Sequence, residues 1–107
     1  MKVLFTDPIS DEGKQILTSS DIEVIDLSDQ WPSEKIDLSD IQGWIVRSNT
    51  KISEKLIKEC TNLNVIGRAG VGVDNIDLDS ATKNGVLVMN TPDANTISAA
   101  EHTVALL

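Results

Sequence analysis

Short apolar runs alternate with polar stretches whose apolar residues fall at helical spacing along the whole chain. Lys2 to Thr6 predicts a strand, and Pro8 and Ser10 then open a helix with Ile16 and Leu17 facing the core. Ile22 to Asp26 predicts a second strand. The stretch from Leu27 to Asp40 is polar; Trp31-Pro32 marks a loop that Ile36 and Leu38 pin down. Gly43 to Val46 predicts a third strand that delivers Arg47-Ser48 at its end. Ser53 is a helix cap, followed by Leu56, Ile57 and Cys60 on one helical face. Asn64 to Gly67 predicts a fourth strand. Asp77 caps a short helix that stops at Asn84-Gly85, and Val86 to Met89 predicts a fifth strand buried on both faces. A polar loop from Asn90 to Thr96 leads to a capping box, Ser98 with Glu101, and a last helix running to Leu107.

Strands alternating with helices imply a parallel sheet with crossover helices. Five strand units favour the flavodoxin-like order 2-1-3-4-5, an α/β fold with helices on both faces. The last helix carries no stop signal, and Ala105-Leu106-Leu107 is apolar. A native domain rarely stops inside an apolar helix, because such an end lacks its cap and its packing. The expectation is therefore the front portion of a longer protein. The outer face of this helix, with Val104, Leu106 and Leu107, is expected to be exposed and to drive self-association.

The 107 residues amount to one domain, and 40% apolar content supplies a modest core. A net charge of −8 argues against nucleic acid and anionic membrane surfaces as partners. No run approaches the ~18 apolar residues of a membrane span, and no secretory signal is visible. Cys60 is the single cysteine, so neither a disulfide framework nor a thiolate metal site is expected. Together these features point to the cytoplasm.

Three loops carry candidate chemistry. The apolar run from Val65 feeds a turn with glycines at 67, 70 and 72, closed by Asp74-Asn75. Glycine lets a backbone bend sharply, and successive N–H groups near Gly70 and Val71 can form a nest for an anion. The segment is not a dinucleotide fingerprint, since no third glycine follows Gly70-Val71-Gly72 at the required spacing. Arg47-Ser48-Asn49 places a guanidinium beside a hydroxyl, a pair suited to a carboxylate or phosphate. Asn95, in the loop after the fifth strand, is expected at the same sheet edge, where open α/β sheets bind ligands. His102 is the single histidine and has no visible acid or nucleophile partner, so it reads as a surface or packing residue. Cys60 reads as core, and Asp74 and Asp77 read as turn and cap residues rather than metal ligands.

Read together, Val46-Arg47-Ser48, Gly67 through Asp77, Val88-Met89-Asn90-Thr91-Pro92 and Asn95 through Glu101 resemble the D-isomer-specific 2-hydroxyacid dehydrogenases. Arg47-Ser48 and the loop around Gly70 favour the phosphoglycerate branch over glyoxylate, lactate or formate relatives. The resemblance implies an NAD-dependent oxidoreductase of a phosphorylated 2-hydroxy acid, working as a homo-oligomer. Residues 1–97 would be the front of its substrate-binding domain, and 98–107 the start of the helix crossing to an NAD-binding domain. By position, Arg47, Ser48 and Asn95 would hold the phosphate side of the substrate. Backbone N–H groups of Gly70 and Val71 would hold its carboxylate, and Val71 would also touch the nicotinamide. The family's catalytic arginine, glutamate and histidine lie later in its sequence, so no catalytic residue is expected here and the chain by itself should be inactive. A hydroxypyruvate or glyoxylate reductase is the alternative within the family. A stand-alone flavodoxin-like binding or receiver module is the alternative outside it; Asp7 is a single acid after the first strand, where a receiver wants a pair.

Overall fold

The computed structural model describes residues 2–31, 37–69, 74–91, 100–101 and 103–105. Five parallel strands form one sheet: β1 (Lys2–Phe5), β2 (Glu23–Asp26), β3 (Gly43–Val46), β4 (Val65–Ala69) and β5 (Leu87–Thr91). Their spatial order is β2-β1-β3-β4-β5, as the alternating pattern predicts. Three helices connect them: α1 (Asp11–Ser19), α2 (Glu54–Glu59) and α3 (Leu78–Lys83). All three are capped where the sequence places a cap. Ser10 Oγ accepts from Gly13 N, Ser53 Oγ from Leu56 N and Asp77 from Ser80 N. Gly85 follows α3 at φ 71°, the left-handed conformation that ends a helix most cheaply in glycine.

Side-chain alternation splits the core into two layers. Leu4, Trp44, Val46 and Ile66 face α2 and α3, packing with Ile57, Cys60 and Ala81. Val3, Phe5 and Ile45 face the other way, onto Leu17 of α1 and Ala100. Crossovers to the right of β1 and to its left must lie on opposite faces if both are right-handed. The chain therefore reverses its winding between β1 and β3, which opens a crevice at their carboxyl ends. Among the described residues no helix is long and apolar enough to cross a membrane.

Two expectations are corrected. β5 is not buried on both faces: Leu87 is 50% exposed and Val88 and Met89 are only partly covered. Among the described residues it pairs with one strand, β4. Val104 is not turned outward; it packs against the layer containing Phe5 and Ala100. Smaller differences concern boundaries. β1 ends at Phe5, β2 starts at Glu23, and β4 and β5 each run on to 69 and 91. The polar stretch before β3 contains a 3₁₀ turn, Leu38–Asp40, capped by Asp37, with Leu38 buried as expected. Ile36, Leu106 and Leu107 lie outside the described residues.

The described part of the last helix is seated on Gly43. A Cβ at that position would come within 3.2 Å of both Thr103 Cγ2 and Val3 Cγ2, and both partners are fully buried. Gly43→Ala is expected to destabilise the fold by about 1–2 kcal/mol, because neither neighbour has room to yield. A denaturant midpoint equal to wild type would show that the helix can shift instead.

At the opposite end of the sheet, Lys14 Nζ sits 2.9 Å from Asp26 Oδ2. Partial burial pushes the Asp26 carboxyl up, but hydrogen bonds from Ser28 and Lys14 outweigh it and hold the pKa at about 2. A depressed carboxyl stabilises the fold above its ordinary pKa and loses that contribution as pH falls toward the folded value. The window here runs from about pH 4 to pH 2, and solvent screening limits the effect to about 0.5–1 kcal/mol. Lys14→Ala is expected to move the Asp26 titration, followed by carboxylate chemical shift, back toward 3.8.

Candidate functional site

The loop after β3 is built around the carboxylate of Asp7. Asp7 leaves β1 at the winding reversal and is buried. Its Oδ2 accepts hydrogen bonds from the backbone N–H groups of Arg47 (2.7 Å), Asn49 (3.2 Å) and Thr50 (3.2 Å). Its Oδ1 accepts from the Thr50 hydroxyl at 2.7 Å. Four donors from one loop thus converge on one carboxylate, the arrangement that makes a buried charge tolerable. One residue earlier, Thr6 Oγ1 accepts from Trp44 Nε1 at 2.9 Å, so β1 and β3 are tied by side chains as well as by the ladder.

Asn75 holds the same loop from the other side. Its Nδ2 donates to the carbonyls of Arg47 (2.8 Å) and Thr50 (2.7 Å). Its Oδ1 accepts from Arg68 Nε at 2.7 Å. Arg68 lies on β4 and is 8% exposed, so its hydrogen bond to Asn75 is shielded from solvent. A parallel bridge between Ile52 and Ile76 continues the attachment: Ile52 N donates to the Asn75 carbonyl and Asp77 N to the Ile52 carbonyl. The backbone from Arg47 to Ile52 is therefore held on both flanks, while the side chains of Arg47, Ser48 and Asn49 are exposed.

The register sets the rest of the edge. Val46 lies opposite Arg68, and Arg68 opposite Asn90, so the chain leaves β3, β4 and β5 on one side of the sheet. The strand ends thus share the carboxyl edge, while the loops around Gly70 and Asn95 expected to converge there lie outside the described residues. Of the predicted site residues, Arg47 and Ser48 are placed there; Gly70, Val71 and Asn95 lie outside the described residues, as does His102. Asp7 and Asn75 were not predicted. The signals available were an acid directly after the first strand and an Asx residue closing the glycine turn.

Two other features lie outside the network of Asp7 and Asn75. Cys60 is buried against α2; burial, with the Glu59 charge nearby, pushes its thiol up to about 12. A thiol of that kind carries almost no thiolate at neutral pH and is no nucleophile. An open groove of about 730 Å³ runs along α2, lined by Ser53, Glu54, Lys55, Lys58, Glu59 and Asp77. Lys58 is paired with Glu54 at 2.8 Å, and the Ser53 and Asp77 side chains cap helices. The carboxyl edge, with its outward guanidinium, is the better candidate for binding an anion.

The D-isomer specific 2-hydroxyacid dehydrogenase catalytic-domain family matches residues 3–105 of this chain. D-3-phosphoglycerate dehydrogenase of Bacillus subtilis is 47% identical over 107 residues, covering 99% of this chain and 20% of the relative. The protein of the same name from Archaeoglobus fulgidus is 44% identical over 108 residues, again 20% of the relative. Among solved structures, NAD+-bound 3-phosphoglycerate dehydrogenase of Entamoeba histolytica superposes with a TM-score of 0.72 at 31% identity, over 86% of this chain and 33% of that one. The chain spans about a fifth of the length of the curated relatives it matches.

Proposed function

Because this chain belongs to the D-isomer specific 2-hydroxyacid dehydrogenases, matched over residues 3–105, we propose that it is the substrate-binding portion of an NAD-dependent enzyme that oxidises 3-phosphoglycerate to 3-phosphohydroxypyruvate, the entry step to serine. The observation that carries this reading is the outward guanidinium and hydroxyl of Arg47-Ser48 on a loop whose backbone is tied at both flanks. A flat, permanently charged donor set on a rigid loop suits a phosphate, since the ordering cost is met before the ligand arrives. The names of the 44–47% identical relatives support the same substrate.

In this reading Arg47, Ser48 and Asn95 hold the phosphate side and the N–H groups of Gly70 and Val71 the carboxylate. Residues 1–97 form the front of the substrate domain, and 98–107 lead toward the NAD-binding half of a cytoplasmic homo-oligomer. NAD takes the hydride from the substrate carbon in this chemistry. The residues present do not fit its pyrophosphate. β1 leads into Asp7-Pro8-Ile9 rather than a glycine-rich turn, and the loop amides at the β1/β3 crevice are already engaged by Asp7. In this reading NAD is held mainly by the other domain, and Val71 touches its nicotinamide end. The chain's own work is to clamp and orient the acid.

The test is an NADH-formation assay on the full-length protein with NAD and 3-phosphoglycerate. Turnover is expected there and not with residues 1–107 by themselves. A full-length protein that reduced glyoxylate or hydroxypyruvate but left 3-phosphoglycerate untouched would move the assignment to the reductase branch.

A further inference from the structure

The Asp7 carboxylate belongs to the protein, yet it sits as a bound anion would. It occupies a concave set of backbone N–H groups at 47, 49 and 50, capped by the Thr50 hydroxyl, at the crevice where the winding reverses. Amide nests of this kind ordinarily attract anions from solution. Here the nest is filled from within, by a residue that precedes the loop by 40 positions or more. The internal anion has two consequences. The loop amides are no longer available to substrate, so recognition passes to the outward side chains of Arg47 and Ser48. The amides also cannot rotate, so the Cα–Cβ directions at 47 and 48 are set before any ligand binds.

We propose that Asp7 is a positioning residue for substrate binding: its side-chain oxygens, seated where a bound anion would lie, serve as built-in acceptors that fix the conformation of loop 47–50 and thereby aim Arg47 and Ser48. The proposal rests on the substrate-site reading given above. It concerns geometry, not charge. An amide in place of the carboxylate keeps an acceptor oxygen for the three N–H groups, and the Thr50 hydroxyl can accept from its NH2 group. A glutamate keeps the charge but moves it by one methylene out of the nest.

The experiment is steady-state kinetics of the full-length protein with Asp7→Gly, Asp7→Asn and Asp7→Glu, with Arg47→Ala as control. For Asp7→Gly the KM for 3-phosphoglycerate is expected to rise roughly tenfold with kcat changed far less, because a contact to the non-reacting phosphate is made alike in the ground state and the transition state. Added formate, which fits the vacated carboxylate position, is expected to restore the KM. Asp7→Asn should remain close to wild type, and Asp7→Glu should resemble the glycine variant. If Asp7→Gly fails to fold, the order of Asn and Glu decides. Glutamate performing as well as or better than asparagine overturns the proposal, as does a glycine variant with an unchanged KM or with no response to formate. If Arg47→Ala also leaves the KM unchanged, it is the substrate-site reading that has failed. A raised KM in Arg47→Ala beside unaffected Asp7 variants refutes the positioning role and leaves that reading intact.

Discussion

Arg47→Ala is expected to raise the KM for 3-phosphoglycerate about a hundredfold and to leave unphosphorylated 2-hydroxy acids nearly unaffected, since charge-assisted hydrogen bonds contribute about 1.5–3 kcal/mol. The fold should not change. Arg47 is exposed, and among the described residues its bonds are made by its main chain: its N–H donates to Asp7 and its carbonyl accepts from Asn75. Alanine preserves both. The loss is therefore a binding effect, to be read as a KM ratio between phosphorylated and unphosphorylated substrates with an unchanged unfolding midpoint. Arg47→Lys should recover part of the affinity, because a point charge replaces the planar two-donor fork. Equal losses for both substrate types would remove Arg47 from the phosphate side.

Asn75→Ala is expected to cost about 2–3 kcal/mol of stability, from three hydrogen bonds at about 1 kcal/mol each. Two of them hold the Arg47 and Thr50 carbonyls, and the third supplies the acceptor at Arg68 Nε. Asn75 thus joins the end of β4 to the loop after β3, and its removal should also weaken binding of 3-phosphoglycerate by loosening Arg47. Asn75→Asp is the informative companion. It keeps an acceptor for Arg68 but turns a carboxylate oxygen toward two carbonyls that need a donor, so it should be no better than alanine. Denaturant unfolding of both variants checks the order. An aspartate variant as stable as wild type would mean that the Arg68 contact carries the whole effect.

The difference between what the sequence discloses and what it hides is visible in these residues. Ser10, Ser53 and Asp77 were legible as caps because capping is a local matter of three residues. The sheet order followed from alternating strands and helices under right-handed crossover. Arg47-Ser48 could be placed at a strand end from the sequence for the same reason. Asp7 could not be assigned a role, because its four donors lie about forty residues away and converge only after β1 and β3 have paired. In the sequence Asn75 only closes a glycine turn, whereas its amide holds two carbonyls of one loop, 28 and 25 residues upstream. The exposure of Leu87 on β5 is not legible in the sequence, because an apolar run shows that a strand can be buried, not what covers it.

The sequence by itself determined the alternation of elements, their caps, the order of the strands and the candidate anion-binding side chains at the carboxyl edge. These depend on hydrophobic periodicity and short-range hydrogen bonding, which act within a few residues. Only the tertiary structure decided which side chains hold that edge in shape. The Asp7 nest, the Asn75 bridge and the seat of the last helix on Gly43 each join segments far apart in the chain. Their partners are chosen by where the sheet brings the backbone, and no local pattern encodes that choice.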